Sequence, residues 1–265
     1  MNKYFMIAKT VLKRKTVYRM EIISRMVATL ISVLALRQVW TSLFQNSESS
    51  VINGMTLEVM VTYTTVAMLL QAFYGPTVIW EVSQKILDGN IVTELNRPWD
   101  YQLSVFSRSI GEVVAGILTI VLPIAIITII LFPIDITVSV AAWLTFIFSI
   151  IIGVMINFAL QFFIGLLAFV FVEVWGFEIV LSLVITFFSG KFIPLSFYPE
   201  YLREFAYFLP FRALFDIPLS IMVGTASPSE YLSLIGFQAA WAIVLMAGVR
   251  MLVGRFQKLL VVAGG

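Results

Sequence analysis

The sequence predicts an all-α membrane protein built on six transmembrane helices, and three observations carry that expectation. First, 60% of the 265 residues are hydrophobic and 12% charged, with a mean hydropathy of +1.00. A soluble domain carries about 45–50% apolar and about 25% charged residues, so half the usual charge cannot cover a water-soluble globule of this size. Second, six runs reach the roughly 20 apolar residues that a spanning helix needs: Met20–Phe44, Leu57–Trp80, Ser109–Phe132, Ala141–Val172, Gly176–Leu195 and Tyr231–Val253. None shows the ten-residue alternation of a membrane β-barrel. Third, Lys and Arg are segregated. Lys3, Lys9, Lys13, Arg14, Lys15, Arg19 and Arg25, then Lys85, Arg97 and Arg108, then Arg250, Arg255 and Lys258 all fall on one side of this topology. The positive-inside rule makes that side cytoplasmic and puts both termini there. The expected location is the plasma membrane, in a bacterial cell.

Several function classes fall away on composition. A net charge of +2 gives no basic face for nucleic acid. The chain has no Cys and no His, hence no disulfide, thiolate nucleophile, imidazole ligand or near-neutral imidazole proton relay. The basic N-terminal stretch is long, and the apolar run after it carries Arg37 and lacks a small-residue cleavage site, so it does not read as a cleaved signal.

Taken in order, Lys3–Arg19 places Tyr4, Phe5, Ile7, Ala8, Val11, Leu12 and Val17 at helical spacing, with Lys9, Lys13 and Lys15 between them. This suits a helix lying in the cytoplasmic interface with its lysines on anionic membrane lipids; a plain basic flank is the alternative. In the first span, Glu21 and Arg25 pair at i,i+4. Arg37 lies about 18 Å further along the helix, facing either a cavity or, by snorkelling, the outer surface. Gln71 and Gly75-Pro76 predict a kink in the second span.

The connection Glu81–Arg108 is read as a long cytoplasmic loop with an apolar stripe: Ile86, Leu87, Ile91, Val92 and Leu95. Asp88-Gly89-Asn90 makes a turn within it and Arg97-Pro98 ends its helix. Such a stripe is covered either by a partner or by headgroups and the protein's own spans. The outer loops 45–56 and 133–140 are short. In the fourth span Gly153, Asn157, Gln161 and Gly165 recur every four residues, as a packing seam or, alternatively, a pathway lining. Glu173–Glu178 is a tight cytoplasmic turn. In the outer segment Lys191–Gly224, prolines 194, 199, 210 and 218 leave pieces too short to span. One helix carries Tyr201, Leu202, Phe205, Phe208 and Leu209 on one face, and Pro210 opens a second that continues with Phe211. A pair of re-entrant half-helices fits, either as an outer gate or as an interfacial plug.

No nucleophile–base pair or metal-ligand cluster is legible. Gly190-Lys191 lacks the rest of a phosphate-binding loop, and no acid sits at a span centre. Energy for uphill transport would have to come from another chain. No internal repeat is visible, which weakens an inverted-repeat secondary transporter.

Against this background the chain resembles the permease subunits of ABC-2-type ATP-driven transporters, specifically small six-span permeases separate from their ATPase. The resemblance rests on Trp40 with Asn53-Gly-Met-Thr-Leu-Glu58 and Tyr63, and on Leu87-Asp-Gly-Asn-Ile91 with Leu95-Asn-Arg-Pro98. It continues in Gly190-Lys-Phe-Ile-Pro194, Tyr198-Pro199, Leu209-Pro-Phe211, Asp216-Ile-Pro218 and Gly224. It implies one permease domain over residues 1–265 and a cytoplasmic coupling helix within Glu81–Arg97, where Ile86, Leu87, Asp88, Ile91, Leu95 and Arg97 would meet the ATPase. Glu173 and Glu178 would make a second contact. Re-entrant helices over Glu200–Val223 would supply the outer gate, with Tyr201, Phe205, Phe208, Pro210 and Phe211. The chain would be a non-catalytic half of an exporter. It would hold no cofactor itself, ATP and Mg being bound by the partner ATPase, and would pair with itself or with a homologous second permease. The other reading is a stand-alone secondary transporter or channel using Arg37 and the fourth-span amides. A lipid-acting membrane enzyme is disfavoured by the missing His, Cys and paired carboxylates. The Phe- and Tyr-rich outer segment suits an amphipathic or hydrophobic cargo.

Overall fold

The computed structural model describes residues 3–15, 19–47, 49–75, 77–131 and 139–264. Most of the outer loop 133–140, Val17 in the N-terminal stretch and Pro76 at the expected kink lie outside the described residues.

The chain is a helical bundle. α1 is Lys3–Lys15 and α2 Arg19–Gln45; a two-stranded hairpin, β1 Val51–Ile52 and β2 Met55–Thr56, leads into α3 Leu57–Leu70. The second span continues as α4 Thr77–Leu87, followed by the short α5 Ile91–Leu95. The third span is α6 Tyr101–Gly116 and α7 Leu122–Leu131, joined by a π turn at Ile117–Val121. α8 Val140–Leu166, α9 Trp175–Phe188, α10 Glu200–Phe208, α11 Asp216–Met222 and α12 Tyr231–Gly264 complete it. Among the described residues, five helical stretches are long and apolar enough to cross a membrane: Met20–Gln45, Leu57–Leu87, Tyr101–Ile130, Val140–Phe169 and Tyr231–Gln257.

Two boundaries differ from the sequence reading for physical reasons. The second span runs on to Leu87 and the third starts at Tyr101, so the loop expected over 81–108 shrinks to residues 88–100. Glu81, Lys85 and Arg108 are helix residues rather than loop residues. Glu81 pairs with Lys85 one turn on, at 3.6 Å, and with Arg108 across the bundle, so hydropathy alone undercounts both helices. Asp100 caps α6, accepting from the Leu103 N–H at 2.9 Å. The expected fifth span, by contrast, is a 14-residue helix, about 21 Å long against a hydrocarbon core of about 30 Å. The chain turns away at Gly190, whose φ of +79° is a left-handed conformation suited to glycine.

The two ends of the bundle are built differently. At the end bearing most Lys and Arg, α1 lies across α6 so closely that a Cβ on Gly111 would sit 2.5 Å from the Ala8 carbonyl oxygen. The Tyr4 hydroxyl accepts from the Asp100 N–H at 3.3 Å. Asp100 also pairs with Arg250 of α12, and Phe256 stacks on Phe169 at 4.3 Å. At the opposite end the hairpin turns at Asn53-Gly54, both with positive φ, the usual Asn-Gly solution for a two-residue loop. Trp40, Phe44, Met55 and Met60 cluster there, and Trp40 meets Phe197 edge-on at 5.8 Å.

α8 is the axis of the bundle. It packs against α4, α11 and α12, and Ile156, Phe158 and Phe162 are wholly enclosed. α11 and the 3-10 turn over Pro210–Ala213 before it are enclosed too, so backbone carbonyls around them need partners in the protein. Gln238 of α12 donates to the Ala213 carbonyl at 2.8 Å and to the Ser149 carbonyl at 3.3 Å. Removing the amide in Gln238→Leu should cost about 1–3 kcal/mol for the unsatisfied polar groups. It is expected to lower the thermal midpoint of the detergent-solubilised protein, with Leu232→Ala at an exposed position of the same helix as the unshifted control.

Candidate functional site

The knuckle between α4 and α5 is where sequence and structure meet most directly. Gly89 allows the chain to reverse after Leu87, and the five residues of α5 present two faces. Ile91 is 3% exposed and sits in a cluster with Val78, Val82, Phe162 and Leu166; Ile86 and Leu95 pack against it. Glu94 is also buried, 3.1 Å from Lys85 and 3.4 Å from Arg97. Lys85 in turn pairs with Glu81, and Glu81 with Arg108. Charges taken out of water require such partners, and here they tie α5 to α4 and α4 to α6. The outward face carries Leu87 and Val92, each 48% exposed, with Asp88 and Thr93.

The coupling set expected from sequence therefore divides. Leu87, Asp88 and Arg97 are available at the surface, whereas Ile86, Ile91 and Leu95 hold the knuckle to the bundle, and Val92, outside that set, is exposed. The Arg97 guanidinium lies over the Trp99 ring at 5.2 Å. Glu173 is exposed and accepts from the Trp175 indole N–H at 2.6 Å, while Glu178 is half-buried in the first turn of α9. The two regions adjoin, because Val174 packs with Ile79 and Ile86 of α4.

In mid-bundle the second span is interrupted. α3 ends in a 3-10 turn over Gln71–Phe73, Tyr74 leaves the helix at φ −120°, ψ 47°, and α4 starts at Thr77. Gln161 of α8 answers the break from both sides. Its Nε2 donates to the Gly75 carbonyl at 2.6 Å, and its Oε1 accepts from the Val78 N–H at 3.3 Å. Gly165, one turn along, lies so near α4 that a Cβ would come within 2.8 Å of the Val82 Cβ; at Gly153 it would come within 2.7 Å of the Tyr74 hydroxyl. Asn157 is buried between them. The four-residue stripe thus faces the broken span along its length. Arg37 is half-buried on α2.

At the opposite end, residues 190–226 fold as the broken segment that the prolines foretell. Pro199 precedes α10, and Pro210 opens a 3-10 turn that leads to α11. The Tyr63 hydroxyl donates to the Gly190 carbonyl at 2.6 Å, Tyr74 donates to the Leu214 carbonyl at 3.0 Å, and the Asp216 N–H donates to the Ser189 carbonyl at 2.8 Å. Arg212 pairs with Asp216 at 3.2 Å and lies over the Tyr207 ring at 4.2 Å. Pro210 is buried and Phe211 half-buried, but Tyr201 and Phe208 are 76% and 74% exposed and Phe205 is exposed beside them. Phe205 meets Phe188 and Phe208 meets Trp241, both edge-on. A cavity of about 800 Å³ opens between the hairpin, Tyr207, Arg212 and the start of α12. In the turn before α12, the Ser227 N–H and hydroxyl bond to Glu230 and hold its carboxyl below the usual range.

Tyr74, Gln238 and Val92 are the residues here that sequence reasoning did not single out as sites. A polar group inside an apolar run is a signal in itself, and it would have found Gln238. Among the described residues no cluster of His, Cys, Asp or Glu could hold a metal ion.

Comparison with protein families matches residues 39–253 to the family described as ABC-2 family transporter protein. No curated protein matches the chain.

The two faces of α5 make opposite predictions. Ile91→Ala should cost about 2–5 kcal/mol as a core truncation, and Val92→Ala should stay within about 0.5 kcal/mol as a surface change. Parallel thermal melts of the purified variants in one detergent are the check.

Proposed function

The chain belongs to the ABC-2 family of transporter proteins, and from that premise we propose that it is the membrane half of an ATP-driven exporter worked by a separate ATPase. The family is one of ABC-type transmembrane permeases, generally without catalytic function of their own, that associate with an ABC ATPase. The observation that carries the finer reading is the knuckle: an apolar tip, Leu87 with Val92, held out from the bundle on a base braced by buried ion pairs. An apolar tip on a rigid base suits insertion into a groove of another protein. Asp88, Arg97 and the neighbouring turn with Glu173 and Glu178 would form the rim of that contact. ATP and Mg would be bound and turned over in the partner.

In this reading residues 1–265 form one permease domain with the knuckle and both termini in the cytoplasm of a bacterial cell. The short α9 is the fifth of six spans. A second permease, identical or homologous, covers faces that this chain leaves bare. On α2 these include Ile23, Val27 and Ile31, and on α9 Ile179, Leu183 and Phe187. Cargo would pass between the two permeases and leave past α10 and α11, where the exposed Tyr201, Phe205 and Phe208 suit an amphipathic or hydrophobic molecule.

The test is recovery of the tagged protein from membranes in mild detergent, with identification of what accompanies it. An ATPase with a phosphate-binding loop should copurify. The double variant Leu87→Asp with Val92→Asp should reduce its recovery about tenfold, equivalent to about 1.4 kcal/mol of contact energy, while remaining monodisperse. A chain recovered alone that transports in ATP-free liposomes would overturn the proposal.

A further inference from the structure

We infer that the break in the second span is a hinge that transmits movement of the knuckle to the broken segment at the opposite end, with Gln161 as its bearing and Tyr74 as its link. This rests on the reading of the chain as an ATP-driven permease, which supplies the movement.

Four observations converge on it. The interruption lies between two halves that differ in what holds them. Below it, α4 is bound to α5 and α6 through Lys85–Glu94 and Glu81–Arg108, so displacement of the knuckle carries α4 along. Above it, α3 is fixed by the Tyr63–Gly190 bond and by the cluster around Met60. A single flexible side chain bridges the gap. Gln161 holds one group on each side of the break, and an amide on a rotatable stem can keep both bonds while the angle between the halves changes.

The adjoining span loosens at the same level. Gly116, just before the π turn, approaches the Ala72 carbonyl, where a Cβ would lie at 3.0 Å. π turns within helices are frequent at functional positions. Small voids of about 50 and 120 Å³ touch the break, one at Gly75 and Thr77 and the other at Gln71, Tyr74 and Gln161, and leave room for rotation.

Finally, the hinge residue itself touches the far element. Tyr74 donates to the Leu214 carbonyl, and its ring meets Phe215 edge-on at 5.2 Å. A change of backbone angle at Tyr74 therefore acts directly on the chain between the 3-10 turn at Pro210 and α11.

The experiment uses the permease complex purified with its ATPase and reconstituted in nanodiscs. The chain has no native Cys, so spin labels can be placed in pairs at Gln84 with Gln257 and at Glu200 with Leu232, all exposed. Addition of ATP with vanadate should shift both distances in the otherwise native protein. Tyr74→Phe, which deletes one oxygen, should retain the first shift and ATP hydrolysis within twofold, and lose the second shift. Gln161→Met, isosteric but without hydrogen bonds, should do the same. A second shift preserved in Tyr74→Phe would overturn the hinge and leave the ATP-driven reading standing. No shift at either pair in the native complex would overturn that reading, and the hinge with it. Should Gln161→Met fail to fold, Tyr74→Phe decides alone.

Discussion

A backbone interrupted inside an apolar bundle must find its hydrogen bonds in the protein, because neither lipid nor packed apolar side chains can supply them. That requirement organises this structure. The chain leaves regular helix after Leu70 and again between the short helices of residues 190–226, and side chains from other helices meet the exposed groups. Gln161 serves the first interruption; Tyr63, Tyr74 and Gln238 serve the second. Each bond joins segments far apart in sequence, so the polar residues that satisfy the backbone also fix how the helices sit together. A buried carbonyl without its partner costs about 1–3 kcal/mol, more than a typical satisfied bond contributes net. These residues therefore act chiefly by making other arrangements unfavourable.

The charges near the knuckle follow a related logic. Lys85, Glu81, Glu94 and Arg108 are mostly shielded from solvent, with Glu94 the most enclosed. Replacing such pairs by apolar side chains is often neutral or favourable, whereas removing one partner is strongly destabilising. The pairs thus add little as a store of stability, but they constrain α5 to one position relative to α4 and α6. Leu87 and Val92 can then be presented at a fixed place on the surface without a long loop. A floppy connection could not transmit a push, and the contraction of the expected 28-residue loop to residues 88–100 removes that slack.

The sequence made the architecture legible where a pattern has one physical solution. Pro199 and Pro210 divide the broken segment, and the structure places α10 and the following turn where they predict. The apolar stripe of residues 86–95 announced a short helix, but a stripe does not say which of its members face inward. Burial of Ile91 and exposure of Val92 follow from where Phe162 and Leu166 stand, and those are non-local facts. The helix ends at Leu87 and Tyr101 were missed because hydropathy counts Glu81 and Arg108 as loop residues, although the two charges neutralise each other. The hairpin at Asn53-Gly54 was read only as a short loop, although that dipeptide is itself a two-residue turn signal. Gln161 was visible as an amide in an apolar span; its service to Gly75 and Val78 depends on a neighbour 86 residues away.

The shortness of α9 bears on how the proposed half-channel meets its partner. A helix of about 21 Å cannot cross an undistorted bilayer unaided, and none of its 14 residues is buried in this chain. Its far end is nonetheless fixed: Tyr198 donates to the Phe187 carbonyl at 2.7 Å, and Ser189 accepts from the Asp216 N–H. A helix that is held at one end, largely apolar and only half covered by its own chain makes a natural wall for a second subunit. The shortfall lies on the side of the broken segment, where α10 and α11 follow the end of α9. The same residues that shorten the span thereby bring the proposed exit beside the proposed subunit boundary, and the Tyr74–Leu214 bond puts both within reach of the knuckle.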